Sequence, residues 1–311
     1  MKKIILAVSA LSAALFSTAA NADISISGSA NAVYVDAGGN SEGHVGGTIS
    51  FAMSTVTDGG VTISTSGAIT NDPDAAGGSG SASGMTGLTF GFANGSITVG
   101  DDVAVPAGTG LVGELVTHAD SNQVTHTNDV KIATDDGSGI KASTTIGDMT
   151  LAGTYFYDGG HAQDIDGGTT TGAGASLTIP MGDMSLTVSS ASVDAAGVTN
   201  GSTGGKLVMP VSGGTLSLGI ETTDGDTAAN KGEAYSIAYS TTLGSAAVAV
   251  GYSGFDANSN TSSKTDITIS QSIGGGASIF AEMSNLTGAG AAAATQSTSE
   301  SVFAVGTSVS F

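Results

Sequence analysis

The 311-residue sequence contains no cysteine, no tryptophan and no arginine. Without cysteine, an oxidising compartment adds no disulfides, so stability must come from backbone pairing, packing or a ligand. Cationic side chains are scarce: seven lysines face 27 carboxylates, for a formal net charge of -20. Duplex nucleic acid is held through cationic contacts to phosphate, which excludes it as a partner. Long apolar side chains are thin as well, and past the first residues no stretch approaches the ~18 consecutive apolar residues of a membrane helix. A globular domain of this length buries a core rich in Leu, Ile, Val and Phe. Here Gly, Ser, Thr and Ala occupy the places that would have to be buried. Either the chain is disordered or its inside is wet.

The N-terminal residues give the compartment. Lys2 and Lys3 precede the apolar run Ile4-Ile-Leu-Ala-Val8, and the segment closes on Ala20-Asn21-Ala22. A basic start, a short apolar stretch and a small-x-small site read as a secretory signal peptide over residues 1–22, cut after Ala22. The expected mature chain is then 23–311, exported through the periplasm. Its two leader lysines gone, it carries a net charge of -22.

The other end alternates strictly. In Phe303-Ala-Val-Gly-Thr-Ser-Val-Ser-Phe311 the residues Phe303, Val305, Thr307, Val309 and Phe311 share one face, and small or polar residues share the other. This is the period of a strand, and it recurs sixteen times along the mature chain. Examples are Ile24-Ser-Ile26, Ile97-Thr-Val99, Met184-Ser-Leu186-Thr-Val188, Tyr235-Ser-Ile237-Ala-Tyr239 and Ser278-Ile-Phe280. Tight turns at Asp58-Gly59-Gly60, Asn94-Gly95, Gly147-Asp148, Gly182-Asp183, Gly213-Gly214, Leu243-Gly244-Ser245 and Gly274-Gly275-Gly276 alternate with longer polar segments. Those turn residues tolerate positive φ. The long segments are 71–83, 159–168, 194–203, 224–231 and 287–299.

An open sheet of sixteen strands would leave two unpaired edges and a large apolar face. Closure into a barrel removes the edges, and lipid accepts the apolar face. The inside can then be polar. Short turns at one end, long loops at the other and an even strand number predict an all-β, transmembrane, antiparallel up-and-down barrel. Tyr34, Tyr155, Tyr157, Tyr235, Tyr239 and Tyr252 are expected to form interfacial girdles.

One connection, about 102–129, is far longer than the rest. Loops of that length without structure of their own are usually functional or disordered. It contains Pro106, Glu114, His118, Asp120 and His126. Signal, sixteen strands, a long segment after the fifth strand and a terminal Phe together resemble the general porins of Gram-negative bacteria. The style of Ala22-Asp23-Ile-Ser-Ile-Ser-Gly28-Ser and of Gly147-Asp-Met149-Thr-Leu is similar to porins of alphaproteobacteria. The likeness is architectural over 23–311 and no single motif carries it. It implies a homotrimer of water-filled barrels in the outer membrane, with the long third external loop folded into each lumen. It also implies that Phe303, Val305, Val309 and Phe311 are read by the outer-membrane assembly machinery.

The chain departs from such porins in one respect. They set loop carboxylates against wall arginines, and where such an arginine is sought after Val99-Gly100 this chain has Asp101. Parity turns Lys141 inward, with Lys206 and Lys264 the other candidate wall cations. Together with Asp101, Asp102, Glu114, Asp120 and Glu282 they are the candidate constriction residues. Their balance predicts a moderate cation preference in a passive diffusion channel for small hydrophilic solutes and ions.

Catalytic and cofactor chemistry finds little support. His44, His118, His126 and His161 lack metal-ligand spacing. The acidic pairs Asp72/Asp74, Asp135/Asp136, Asp164/Asp166 and Asp224/Asp226 leave Ca2+ in the loops as a weak option, since none completes a twelve-residue calcium loop. No nucleophile elbow is present, and Gly172-Ala-Gly174 precedes a strand rather than a helix. No metal, cofactor or enzyme activity is expected. The alternative class is a secreted, acidic, Gly/Ser/Thr-rich structural or adhesive β-protein. Uneven strand lengths and the absence of a short fixed repeat speak against it. A barrel-borne lipid-modifying enzyme would need a nucleophile and base that cannot be assigned.

Overall fold

The structure, a computed structural model, describes residues 22–37, 40–71, 81–83, 85, 87–100, 138–159, 169–195, 197–225, 231–257, 260–288 and 299–311. Among these every regular element is a strand, and no helix is long and apolar enough to cross a membrane. The first half of the wall is built from β1 (Ala22–Ala37), β2 (Asn40–Val56), β3 (Thr62–Asn71) and an interrupted β4 (Ser81–Ser83 and Gly87–Phe92). It continues through β5 (Gly95–Gly100), β6 (Ser138–Ile146), β7 (Met149–Gly159) and β8 (Thr169–Met181). The second half is β9 (Met184–Ala195), β10 (Val198–Val211), β11 (Gly214–Gly225) and β12 (Gly232–Leu243). It ends with β13 (Ala246–Ala257), β14 (Asn260–Gly274), β15 (Ala277–Thr287) and β16 (Ser299–Ser310).

Each strand pairs antiparallel with its sequence neighbours, and β1 pairs with both β2 and β16. The sheet is therefore a closed barrel of sixteen strands. Both pieces of β4 pair with β3, so they are one strand broken around Met85. Closure is completed by two backbone bonds: Gly28 N–H donates to Phe311 O at 2.8 Å and Phe311 N–H donates to Gly28 O at 3.0 Å. The Phe311 ring lies over Gly28, where a Cβ would stand 2.5 Å from Cζ. The strict alternation of the last strand is thus tied into the first, and glycine makes room for the ring.

The side-chain period assigns two faces. Ile24, Ile26, Tyr34, Val188, Ile220, Ile237, Val250, Ile269, Met283 and Phe303 are large, apolar and exposed on the outer one. The side chains of Tyr155, Tyr235, Tyr239 and Tyr252 share that face, and the Tyr235 and Tyr252 rings stand 6.1 Å apart. The Tyr157 side chain lies outside the described ones. The inner face is rich in hydroxyls that bond laterally across neighbouring strands. Thr89 with Thr98 (2.8 Å), Ser96 with Ser143 (3.0 Å), Thr178 with Thr187 (3.0 Å) and Ser278 with Ser308 (2.7 Å) form such pairs.

Two sequence expectations change. The segment 194–203 is not a long loop: β9 and β10 continue through it and meet in a tight turn at Gly197 (φ 81°). Asp194 holds the turn, accepting bonds from Gly197 N–H and from the Thr199 hydroxyl at 3.0 Å. Nor is the inner face polar throughout. Val33, Val35, Phe280, Val302 and Ala304 form one buried apolar cluster on it, and Phe156, Ala191 and Val193 a second. The Phe280 ring lies across Gly306, and Phe156 across Gly172. Glycine on the adjacent strand is what admits an aromatic ring to the wall.

Candidate functional site

Lateral register joins the inner face into rows around the barrel, and the rows locate the candidate residues. Lys141 on β6 lies between Thr98 on β5 and Thr154 on β7, and its side chain is exposed. Lys206 on β10 lies between Thr187 on β9 and Gly219 on β11 and is half-buried. Lys264 on β14 is in register with Ser253 on β13 and is 1 % exposed. Glu282 on β15 lies between Thr268 and Ala304 and is 7 % exposed. All four share the inner face. They are spread around the ring rather than gathered, and they differ greatly in contact with water.

Lys264 is bound where it stands. Its Nζ lies 3.2 Å from Asp266 Oδ1, and the Ser284 hydroxyl on β15 donates to that same oxygen. Residues 264 and 266 are two apart on one strand, so both point inward, and Ser284 is the register partner of Asp266. A buried charge is tolerated when it is paired and hydrogen-bonded. The local result is a neutral, covered pair, not a free cation on the wall. Sequence reasoning did not single out Asp266 or the buried Glu221 on β11. Parity against Ile267 and Ile220, both exposed on the outer face, would have turned them inward.

Among the four wall candidates Lys141 is therefore the one exposed cation. Four exposed carboxylates sit lower, toward the short turns: Asp23 on the first strand and Asp58, Asp148 and Asp183 in the turns; Asp224, Glu233 and Asp256 are exposed toward the opposite end. The first four belong to the half of the short-turn rim formed by β1 to β9. The turns joining β10 to β15, at Ser212-Gly213, Gly244-Ser245 and Gly275-Gly276, carry no charge. Asp101, Asp102, Glu114, Asp120, His118, His126, His161 and the whole 102–129 connection lie outside the described residues, as do Ala20 and the acidic pairs at 72/74, 135/136 and 164/166. Asp224 is described and pairs with Lys231 at 3.0 Å in full contact with solvent. Among the described residues no group of three or more His, Cys, Asp or Glu is placed to hold a metal.

The remaining candidates lie on the last strand. Phe303, Val305 and Val309 are exposed on the outer face of β16 with Phe311 beside them. Val305 is the register partner of Tyr34 and Val309 that of Ala30, so the row runs against β1.

Comparison with known proteins gives the same architecture. The family model for Gram-negative porin matches residues 7–291. No curated protein matches the chain. Solved structures do, at low identity. The anion-selective porin from Comamonas acidovorans superposes with a TM-score of 0.67 at 15 % identity, over 94 % of this chain and 100 % of that one. OmpT of Vibrio cholerae, in its in-vitro folded trimer form, gives 0.68 at 13 % identity, over 93 % and 99 %. A mutant of the Rh. blastica porin gives 0.62 at 16 % identity, over 93 % and 100 %.

Proposed function

The chain belongs to the Gram-negative porin family, and from that premise we propose that it is a cation-preferring passive diffusion channel for small hydrophilic solutes and ions. The family makes it a non-enzymatic β-barrel channel protein of the outer membrane. Selectivity has to be argued separately, because a barrel of similar fold is an anion-selective porin in Comamonas acidovorans.

The observation that carries the reading is the unequal exposure of the wall charges. Lys264 is neutralised by Asp266 under cover, whereas Asp23, Asp58, Asp148 and Asp183 stand in solvent at one mouth. Charges lining a narrow low-dielectric path set which ions pass. Lys141, and more weakly Lys206, oppose this field. The mature charge of -22 acts in the same sense, screened over ~8–10 Å by physiological salt. The same reading includes cleavage after Ala22, export through the periplasm and assembly as a homotrimer. It extends to a constriction formed by 102–129 with Asp101, Asp102, Glu114 and Asp120. Recognition of Phe303, Val305, Val309 and Phe311 by the assembly machinery and kinship with the alphaproteobacterial porins complete it.

Reversal potential in a KCl gradient across a planar bilayer tests the selectivity. The expected sign is that of a cation-preferring pore, with the magnitude shrinking as total salt rises. An anion-selective sign would overturn the proposal and give control of the narrowest point to Lys141 and Lys206.

A further inference from the structure

Several inner-wall hydroxyls bond each other, in the lateral pairs described above, while Thr154, Ser189 and Ser236 are buried singly without a partner. One open part of the wall gathers several hydroxyls without such pairs. Between β11 and β14, just inside the uncharged turns, Thr215, Ser240, Thr242, Thr268 and Ser270 line an open recess of about 370 Å³. Its floor is the backbone of β13 with the small side chains Ala247 and Ala249. Register explains the difference. Ala249 stands between Ser240 and Thr268, and Ala247 between Thr242 and Ser270. An alanine thus separates the two hydroxyls in each of these rows, as Ala152 does between Ser143 and Ser176 elsewhere on the wall. The gap leaves the β12 and β14 hydroxyls too far apart to bond across it, and Thr215, the direct register partner of Ser240, makes no side-chain hydrogen bond to it either.

We propose that this recess binds neutral polyhydroxylated solutes, a sugar or a sugar alcohol; the inference rests on the channel reading above. A hydroxyl is both donor and acceptor, so five of them around a small concave surface match a ligand that presents the same groups in return. The recess carries no charge, and neither do the turns beside it. A permeating ion gains nothing there over bulk water. The nearest charged wall residue is Glu282, across from Thr268 and covered. The volume falls at the lower end of that of small-molecule sites and corresponds to roughly a dozen waters at ~30 Å³ each, about the space of one or two pyranose rings. An alanine floor supplies no aromatic stacking, so binding is weak and transient, as passage through a channel requires.

Sucrose is the probe. Current through the reconstituted protein is recorded in KCl while sucrose is added to one side and then the other. The expected result is a saturable block with excess current noise, beyond the fall in bulk conductivity, and stronger from one side. Substituting Ser240→Ala, Thr268→Ala and Ser270→Ala together raises the half-blocking sucrose concentration at least about tenfold, since each hydroxyl lost removes a modest hydrogen bond. Ala249→Leu fills the floor and has the same effect should the triple variant fail to fold, as judged by gel migration with and without boiling. Thr178→Ala, on a paired row elsewhere, leaves the block in place. KCl conductance with no sucrose effect beyond bulk, or an unchanged block in both recess variants, overturns the site and spares the channel reading. Absence of KCl conductance in the folded wild type overturns that reading as well.

Discussion

Two lysine–aspartate pairs of nearly equal length stand in opposite surroundings in this barrel. Lys231 meets Asp224 at 3.0 Å with side chains 57 % and 88 % exposed, whereas Lys264 meets Asp266 at 3.2 Å with side chains 0 % and 5 % exposed. The first belongs to the end of β11 and the connection that follows it. The second is in the wall, where Ser284 also donates to Asp266. Distance alone would rate them alike. Solvent decides otherwise: water already satisfies the exposed partners, and salt screens them, so such pairs contribute about 0–1 kcal/mol. Inside the wall each ion has given up hydration and depends on the other, so loss of one strands the other. The comparison also bears on transport. An exposed charge acts on a passing ion, whereas a covered and neutralised pair mainly fixes the wall.

The strongest way to break the comparison is Lys264→Met, which leaves Asp266 buried without its cation. The folded barrel should lose about 3–5 kcal/mol, read as a lower urea midpoint for the heat-modifiable form in detergent. An unchanged midpoint would mean that water reaches the pair. Adding Asp266→Leu to that variant should recover much of the loss, because an apolar pair of similar volume replaces the ions. The coupling from the double-mutant cycle then exceeds about 1 kcal/mol, and additive effects would deny that the two charges interact.

Lys141→Gln sharpens the contrast from the transport side. This lysine is exposed on the inner face, so stability should move by no more than about 0.5 kcal/mol, while the reversal potential shifts further in the cation-selective direction. A fall in stability without a shift in potential would make Lys141 a structural residue. The smallest effect belongs to Lys231→Gln. Here the urea midpoint should stay within error, and any change at low salt should vanish by 0.5 M KCl, where the Debye length drops to a few ångströms. A large salt-independent loss would show that exposure does not rank the two pairs.

Much of this architecture was legible in the alternation. A strand's side chains repeat every two residues, so Ile267 on the outer face obliges Lys264, Asp266 and Thr268 to share the inner one. The same rule orients Phe303, Val305 and Val309. Glycine-rich turns marked seven of the hairpin ends, because positive φ is cheap there. The turn at Gly197 was missed, since its signal is the side chain of Asp194 reaching back to Gly197 and Thr199. The apolar inner clusters escaped notice for a different reason. Val33 and Val35 flank Tyr34, and a run of three large side chains does not declare which face is wet.

The sequence by itself determined that the chain is a series of two-faced strands, what each strand turns to either side, and that the outer face suits lipid. It determined too that the chain is strongly acidic. Only the tertiary structure decided which inward charges meet water. Lys141 and Lys264 have the same parity and the same chemistry, yet one is exposed and the other sealed against Asp266 and Ser284. Parity is a property of one strand, whereas cover, pairing and the seating of Phe156 over Gly172 or Phe280 over Gly306 depend on the register between strands. That register is set only when the sheet closes on itself and each strand's position is held from both sides.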